Sequence, residues 1–362
     1  MITGTEHRTA ATVRRLRATT QRQESNMDIL QDIANLEEQS CAKNTTESYG
    51  FAWTIWGNFV EWAGLHSASL GVNEHNPTVE HVQAFVVWMQ KYARGGKGYA
   101  PATVRARVAG LASKLRDLHP DQPLVTDHPS VKRVMKGVKR SAAKAGHKQK
   151  KMKAIMPDML EKMLAAGRRE YGTDSILTIR NESLLTLGWN CGARCSEIVS
   201  LTRNNVTPII EDGLRIGYRL HWLSSKADKD CEGMTKSIGT SNLFDPVARL
   251  EAWLEASQTP PGVNDSNWPL YRGVGSYNSI HTKSLHEKTI LVLVRKYLSL
   301  AHIDSTGYGS HSLRAGVVTY LASQGYTALD IKKVTGHKSI DTVAGYVRDT
   351  GHDAIDIMRT GT

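Results

Sequence analysis

Cysteine is sparse in this chain: four among 362 residues, at Cys41, Cys191, Cys195 and Cys231. Cys191 and Cys195 share the run CGARC, but no second Cys/His pair stands at zinc-ligand spacing, which argues against a structural zinc site. Thiols this few and this irregularly spaced fit a reducing compartment better than a disulfide framework. Long apolar runs are missing too. Stretches such as AFVVWM and TILVLV are core-sized, far short of the roughly 20 residues that span a bilayer, and the first residues lack the apolar centre of a secretory signal. No GxxxxGK[ST] loop offers a seat for a nucleotide, and no Asp/Glu cluster offers one for a divalent metal. The expectation is a soluble cytoplasmic protein with no membrane partner, no metal and no cofactor.

Acidic residues are outnumbered, 35 against 46 Lys and Arg, for a formal net charge of +11. Such an excess speaks to partners and solubility rather than to fold. The imbalance is concentrated. Between Lys132 and Lys153 the sequence KRVMKGVKRSAAKAGHKQKKMK holds ten Lys/Arg and no acidic residue. Nothing local neutralises that run, whereas a polyanion would, with counterion release favouring the contact. Lys132, Arg133, Lys139 and Arg140 are therefore candidate phosphate contacts.

The length favours two domains. Residues 1–26 are polar and aperiodic and read as a disordered tail. From 27 to 138, segments such as TTESYGFAWTIWGNFVEWAGL, TVEHVQAFVVWMQKYAR and PATVRARVAGLASKLRDL repeat apolar residues at three-to-four spacing, which predicts a helical bundle. Thr78 and Thr103 are expected near helix N-termini. Residues 139–156 form a basic linker. From 157 to 362 helices alternate with a β-hairpin or small meander, GLRIGYRLHW followed by MTKSIGTS. The fold class is mainly α: a helical N-terminal domain and a C-terminal α+β domain with a small antiparallel sheet.

Chemistry-bearing residues gather in the second domain. In SHSLRAGVVTYLASQG, Ser310 is expected to cap a helix ending near Gly325, with His311 and Arg314 on one face near its positive end. Imidazole and guanidinium there make an anion site. YTALDIKKVTG predicts a helix with Thr327 and Asp330 at its start and Gly336 at its end. His337 then lies in a turn, and a short helix from Ser339 carries Tyr346. On one continuous helix His337 and Tyr346 would face opposite ways; the glycine break lets them converge. Upstream, Arg194 opens ARCSEIVSL with Glu197 one turn on, an ion pair that holds the arginine. Lys226 stands at a strand end in HWLSSKADKD. Taken singly, each of these has a plain structural explanation.

Taken together and in this order, GARCSEI, the hairpin lysine, HSLR and GHKSIDTVAGYV resemble the tyrosine recombinases, the phage-integrase family, and the layout is most similar to Cre-like members. The likeness runs from about Met27 to near the end. It implies that Arg194 and Arg314 hold a scissile DNA phosphate, that Glu197 supports Arg194, and that His311 is the base for Tyr346, the nucleophile. Lys226 would protonate the leaving 5′-oxygen, with Lys229 the competing choice, and His337 would donate a further hydrogen bond to the phosphate. The two domains would clamp double-stranded DNA at an inverted-repeat target site. Asn44, Thr46, Thr103, Arg105 and Arg107 in the first domain, and Lys283 and Lys288 on a helix opened by TKSLHEKTI in the second, are the DNA-binding candidates. Arg105 and Arg107 cannot both face DNA squarely from a regular helix. The resemblance further implies strand exchange through a 3′-phosphotyrosine and a Holliday junction by a homotetramer on two sites. Ile355, Ile357 and Met358 would dock into a neighbouring protomer.

Overall fold

The computed structural model describes residues 31–32, 43–147, 152–222, 233–258, 266–337 and 339–347, with backbone alone for 43–45, 341 and 345–347. Lys226, Lys229, Ile355, Ile357 and Met358, and the side chains of Asn44 and Tyr346, lie outside the described residues. The chain divides into two compact units, Met1–Gln149 and Lys150–Thr362. No described helix is long and apolar enough to cross a membrane.

Over residues 43–147 the first unit carries helices α1 (Lys43–His66), α2 (Val79–Lys91), α3 (Pro101–Leu118) and α4 (Pro129–Lys144). Their apolar faces meet in a core of Trp56, Phe59, Phe85, Met89 and Leu111, all fully buried. Trp56 and Phe85 pack edge-to-face with centroids 5.1 Å apart, an arrangement favoured by the ring quadrupoles. Thr78 caps α2 as expected, its hydroxyl accepting the His81 N–H while the His81 ring accepts the Thr78 N–H in return. α3 begins at Pro101, whose fixed φ and missing N–H suit the first helical position, with Thr103 in its first turn as expected. One boundary differs from the sequence reading. Residues 139–144, expected in a linker, are the last turns of α4. That helix buries Val131 and Val138 and exposes Lys132, Arg133, Lys136, Lys139 and Arg140, so its basic run is one face of an amphipathic helix.

The second unit is built around α6 (Ile176–Asn190), which is buried on almost all sides. Its other α-helices among the described residues are α5 (Pro157–Tyr171), α7 (Cys195–Ser200), α8 (Pro246–Ala256), α9 (Glu287–Leu300), α10 (Ser312–Ser323), α11 (Ala328–Thr335) and α12 (Ile340–Val347). The polar groups of α6 are satisfied internally. Glu182 meets Arg168 Nε at 2.6 Å and also Arg249, and Asn181 donates to the Tyr297 hydroxyl at 2.9 Å. Strands β1 (Val206–Glu211), β2 (Leu214–Trp222) and β3 (Met234–Gly239) form an antiparallel meander in the order β1-β2-β3. Tyr218, Leu220 and Trp222 of β2 face inward, paired with Ile238, Lys236 and Met234 of β3.

A second pair, β4 (Arg272–Val274) and β5 (Ile280–Ser284), corrects the expectation that TKSLHEKTI opens a helix. Lys283 belongs to β5, held by the Val274–Ile280 and Arg272–Ser284 pairings. The helix starts at Glu287, where the His286 ring accepts the Lys288 N–H at 3.1 Å.

Candidate active site

Three element ends build the site. The first is the turn after α6. Gly192 adopts φ 52°, in the left-handed region that favours glycine. A Cβ there would lie 2.8 Å from the Thr335 side chain, so the turn can touch the end of α11 only because this position is bare. The chain then delivers Arg194 to the N-cap position of α7. Glu197, in the first turn, reaches back. Its Oε2 accepts the Arg194 backbone N–H at 2.9 Å and its Oε1 takes Arg194 Nη1, the acidic half of a capping box. Burial by itself would push the Glu197 carboxyl up. Lys236, the Arg194 N–H and the Arg194 guanidinium outweigh it and hold the group below the usual carboxylate range.

The second end is the start of α10. His311 occupies its N-cap position and is exposed, without a side-chain cap, and Ser310 stands one residue outside. The expected Ser310 cap is not made: no side chain caps α10, and the Ser312 hydroxyl in its first turn accepts instead the Gly309 N–H, from before the helix, at 2.9 Å. Arg314, one turn into the helix, is only 5% exposed. Its Nη1 donates to the carbonyls of Gly192 and Thr335.

The third end is the close of α11. Thr327 caps its start by accepting the Asp330 N–H, and Gly336 ends it at φ 68°. His337 follows in the turn, as the sequence predicts, and is buried. Arg314 Nε can only donate, so His337 Nε2, 3.2 Å away, accepts. Nδ1 then carries the proton and donates to Thr335 Oγ1 at 2.6 Å, while that hydroxyl donates to the Ile331 carbonyl. Burial and the neighbouring cations Arg314, Arg194 and Lys236 push the imidazole down to about 3. His337 is therefore neutral here and serves Arg314 as an acceptor. α12 carries Tyr346 and is fixed to α10 and α11 through Val343, which packs with Val318, Ala322 and Ile331.

Arg194, Glu197, Arg314 and His337 thus form one cluster, with His311 at the mouth of the helix that supplies Arg314. Sequence reasoning missed one member. Lys236, on β3, donates to the carbonyls of Cys191 at 3.0 Å and Thr335 at 3.1 Å and stands 3.5 Å from Glu197 Oε2. The signal was present. Strand alternation in MTKSIG places Lys236 on the same face as Met234 and Ile238, an inward position for a charge. Cys191 and Cys195 are free, and burial pushes both thiols up to about 12, so neither is a ready nucleophile.

The other candidates are spread over both units. In the first, Thr46 and Arg105 are exposed and Thr103 is half-buried. Arg107 is folded on to α1, donating to the Ser48 carbonyl at 3.1 Å and lying 4.4 Å from the Phe51 ring centroid. In the second, Lys283 and Lys288 are exposed.

A family model described as the phage integrase family matches residues 153–352. An integrase/recombinase XerD homolog of Selenomonas ruminantium is 24% identical over 314 residues, covering 86% of this chain and 83% of that protein. The tyrosine recombinase XerD of Xanthomonas axonopodis pv. citri is 25% identical over 194 residues, 54% of this chain and 57% of the relative. Among solved structures, XerH site-specific recombinase bound to difH substrate in a pre-cleavage complex shares the fold. Its TM-score is 0.55 at 16% identity, over 87% of this chain and 79% of that one. A lambda integrase dimer bound to a COC′ core site gives 0.52 at 15%, over 91% and 78%. The family match spans more than half of the chain and takes in all three of the element ends that converge on Arg314, and on that ground the chain belongs to the phage integrase family, the tyrosine recombinases.

Proposed function

We propose that this recombinase cuts and rejoins double-stranded DNA at an inverted-repeat target site through Tyr346. The observation that carries the reading is the cluster itself. Arg194, Glu197, Arg314 and His337, up to 143 positions apart in sequence, are laced into one cation-rich bed beside the helix bearing Tyr346. Attack on a phosphodiester must overcome repulsion from an anionic phosphate. Two preorganised guanidinium forks offset it as charge shifts to the non-bridging oxygens. Arg194 turns Nη1 to Glu197 and, among the described residues, keeps the rest of its fork for such a ligand.

In this reading the Tyr346 phenol loses its proton to His311 and its oxygen bonds to phosphorus. The 5′-oxygen leaves, taking a proton from Lys226 or Lys229. The product is a 3′-phosphotyrosine and a free 5′-hydroxyl. Because the phosphoester is conserved, the 5′-hydroxyl of a second strand can attack it, release the tyrosine and reseal the backbone. Two rounds of that exchange pass through a Holliday junction. Four protomers on two sites supply one tyrosine for each strand cut, and Ile355, Ile357 and Met358 would join neighbours in a Cre-like ring. Lys132, Arg133, Lys139, Arg140, Arg105, Lys283 and Lys288 would hold the duplex, with Asn44, Thr46 and Thr103 near the bases. Arg107, already engaged with Ser48 and Phe51, contributes by shaping α1 and α3. The setting would be a mobile element.

The test is a library of nicked duplexes of random sequence, in which cleavage beside the nick releases a short fragment and traps the protein on DNA. Covalent adducts isolated under denaturing conditions and sequenced should converge on one half-site, and Tyr346→Phe should form none while still binding. Adducts that persist in the Phe variant would place the nucleophile elsewhere. Adducts without sequence preference would favour a topoisomerase.

A further inference from the structure

We propose that Lys236 is a positioning residue for strand cleavage. Its ammonium ties the Arg194-bearing turn to the end of α11, and so fixes the phosphate-holding arginines against the segment that leads to Tyr346. The inference rests on the cleavage reading above and adds to it a residue outside the family motifs quoted in the sequence.

The geometry carries it. Lys236 sits opposite Leu220 on the inward face of the meander, with its side chain 3% exposed. A buried ammonium is costly unless each N–H is met, and here three acceptors surround it: Cys191 O, Thr335 O and Glu197 Oε2. With its donors committed and no route to solvent, Lys236 is poorly placed to hand a proton to a leaving group. Its partners are instead the backbone on either side of the catalytic arginines. Cys191 O adjoins Gly192 O, which Arg314 holds, and Thr335 O is shared with Arg314 directly. Glu197 is shared with Arg194. One ammonium therefore touches the support of both arginines. The cluster also holds three cations against one carboxylate, since His337 is neutral, and the surplus is arranged before any phosphate arrives. Gly336 allows the closeness, as a Cβ there would lie 2.7 Å from Met234 Sδ.

The test uses the full chain and the half-site duplex recovered from the nicked library, with Lys236→Met and Lys236→Arg. Lys236→Met should lower the single-turnover rate of adduct formation at least tenfold, with equilibrium binding to the same duplex within twofold of wild type. Loss of the nearby positive charge should also raise the pH at which the His337 imidazole titrates, followed by NMR, and Lys236→Arg should recover part of the rate. A Met variant that cleaves at the wild-type rate overturns the proposal. So does one that fails to fold or binds DNA poorly, with no recovery in the Arg variant, because Lys236 would then be scaffold alone. If the wild-type chain forms no adduct with any library duplex, the cleavage reading fails first and takes this one with it.

Discussion

Lys236 and Arg314 donate to the same carbonyl, that of Thr335, at 3.1 and 2.6 Å. Thr335 closes α11, where helix carbonyls have no intrahelical partner and the macrodipole is negative. Two cations from different elements, a strand and a helix start, thus cap one helix end. The same two residues hold the adjacent carbonyls of Cys191 and Gly192. The end of α11 and the turn before Arg194 are consequently joined twice.

Glu197 is the counter-charge for the cluster and is 2% exposed. Glu197→Ala would strip the carboxylate from both Arg194 and the buried Lys236. Breaking a buried pair from one side costs about 3–5 kcal/mol, and urea unfolding of the second unit should show a loss of that order. Glu197→Gln keeps the shape and the acceptor for the Arg194 N–H and should cost less. Equal unfolding midpoints for all three proteins would contradict the role given to the carboxylate.

Arg314 spends its guanidinium on three acceptors in different directions: the Gly192 and Thr335 carbonyls and His337 Nε2. A lysine cannot reproduce that fork. Arg314→Lys should therefore behave as a loss rather than a conservative exchange, slowing adduct formation by roughly 10²–10³, the effect of losing one preorganised donor. Single-turnover cleavage of a nicked duplex measures it, and a fall of less than about tenfold would count against the assignment.

How much of this was legible in the sequence follows the range of the forces involved. Thr327, Asp330 and Gly336 announced α11 and its end because caps are made within a few residues. Arg194 with Glu197 was likewise local. Lys236 was missed because its environment is assembled from a cross-strand partner, a turn 45 positions upstream and a helix end 99 positions downstream. Alternation in MTKSIG marked it as inward, but nothing nearby says what it would meet. β5 is hidden in the sequence because a five-residue strand, Ile280–Ser284, is too short for its period to stand out. Only its pairing with β4 separates it from α9. Arg107 shows the same limit: its partners Ser48 and Phe51 stand on another helix, more than 50 positions away, and nothing beside it in the sequence announces them.

His337 makes stability depend on pH in a definite direction. Its imidazole is pushed down to about 3 in the folded chain, against an ordinary 6.5. Between those values the unfolded chain binds a proton that the folded chain refuses, so stability falls as pH falls through that window and is unaffected above it. From pH 7 to pH 5 the histidine should cost about 2 kcal/mol. Glu197 enters only below its ordinary 4.5, which leaves this interval to the histidine. His337→Gln retains an acceptor for Arg314 and removes the titration. The difference between urea midpoints at pH 7 and pH 5 should shrink accordingly, and an unchanged difference would mean that His337 is charged in the folded protein.

The exposed face of α4 carries a run of cations suited to phosphate. Lys132 is paired with Asp127 at 3.4 Å, both side chains about two-thirds exposed, a contact worth about 0–1 kcal/mol and easily exchanged for a phosphate. Arg133, Lys139 and Arg140 are exposed on the same helix, whose buried side is Val131 and Val138. If these cations meet DNA phosphates, each contact releases counterions, and the slope of log affinity against log salt is about −0.9 per phosphate. Replacing Arg133, Lys139 and Arg140 together by Gln should flatten that slope by about 2.7, with little change in unfolding, because none of the three enters the core. Fluorescence anisotropy on a duplex between 50 and 300 mM salt, roughly the range over which such binding collapses, supplies the measurement. A slope unchanged in the triple variant would mean that this face is solvated in the complex and that the duplex lies against some other surface of the chain.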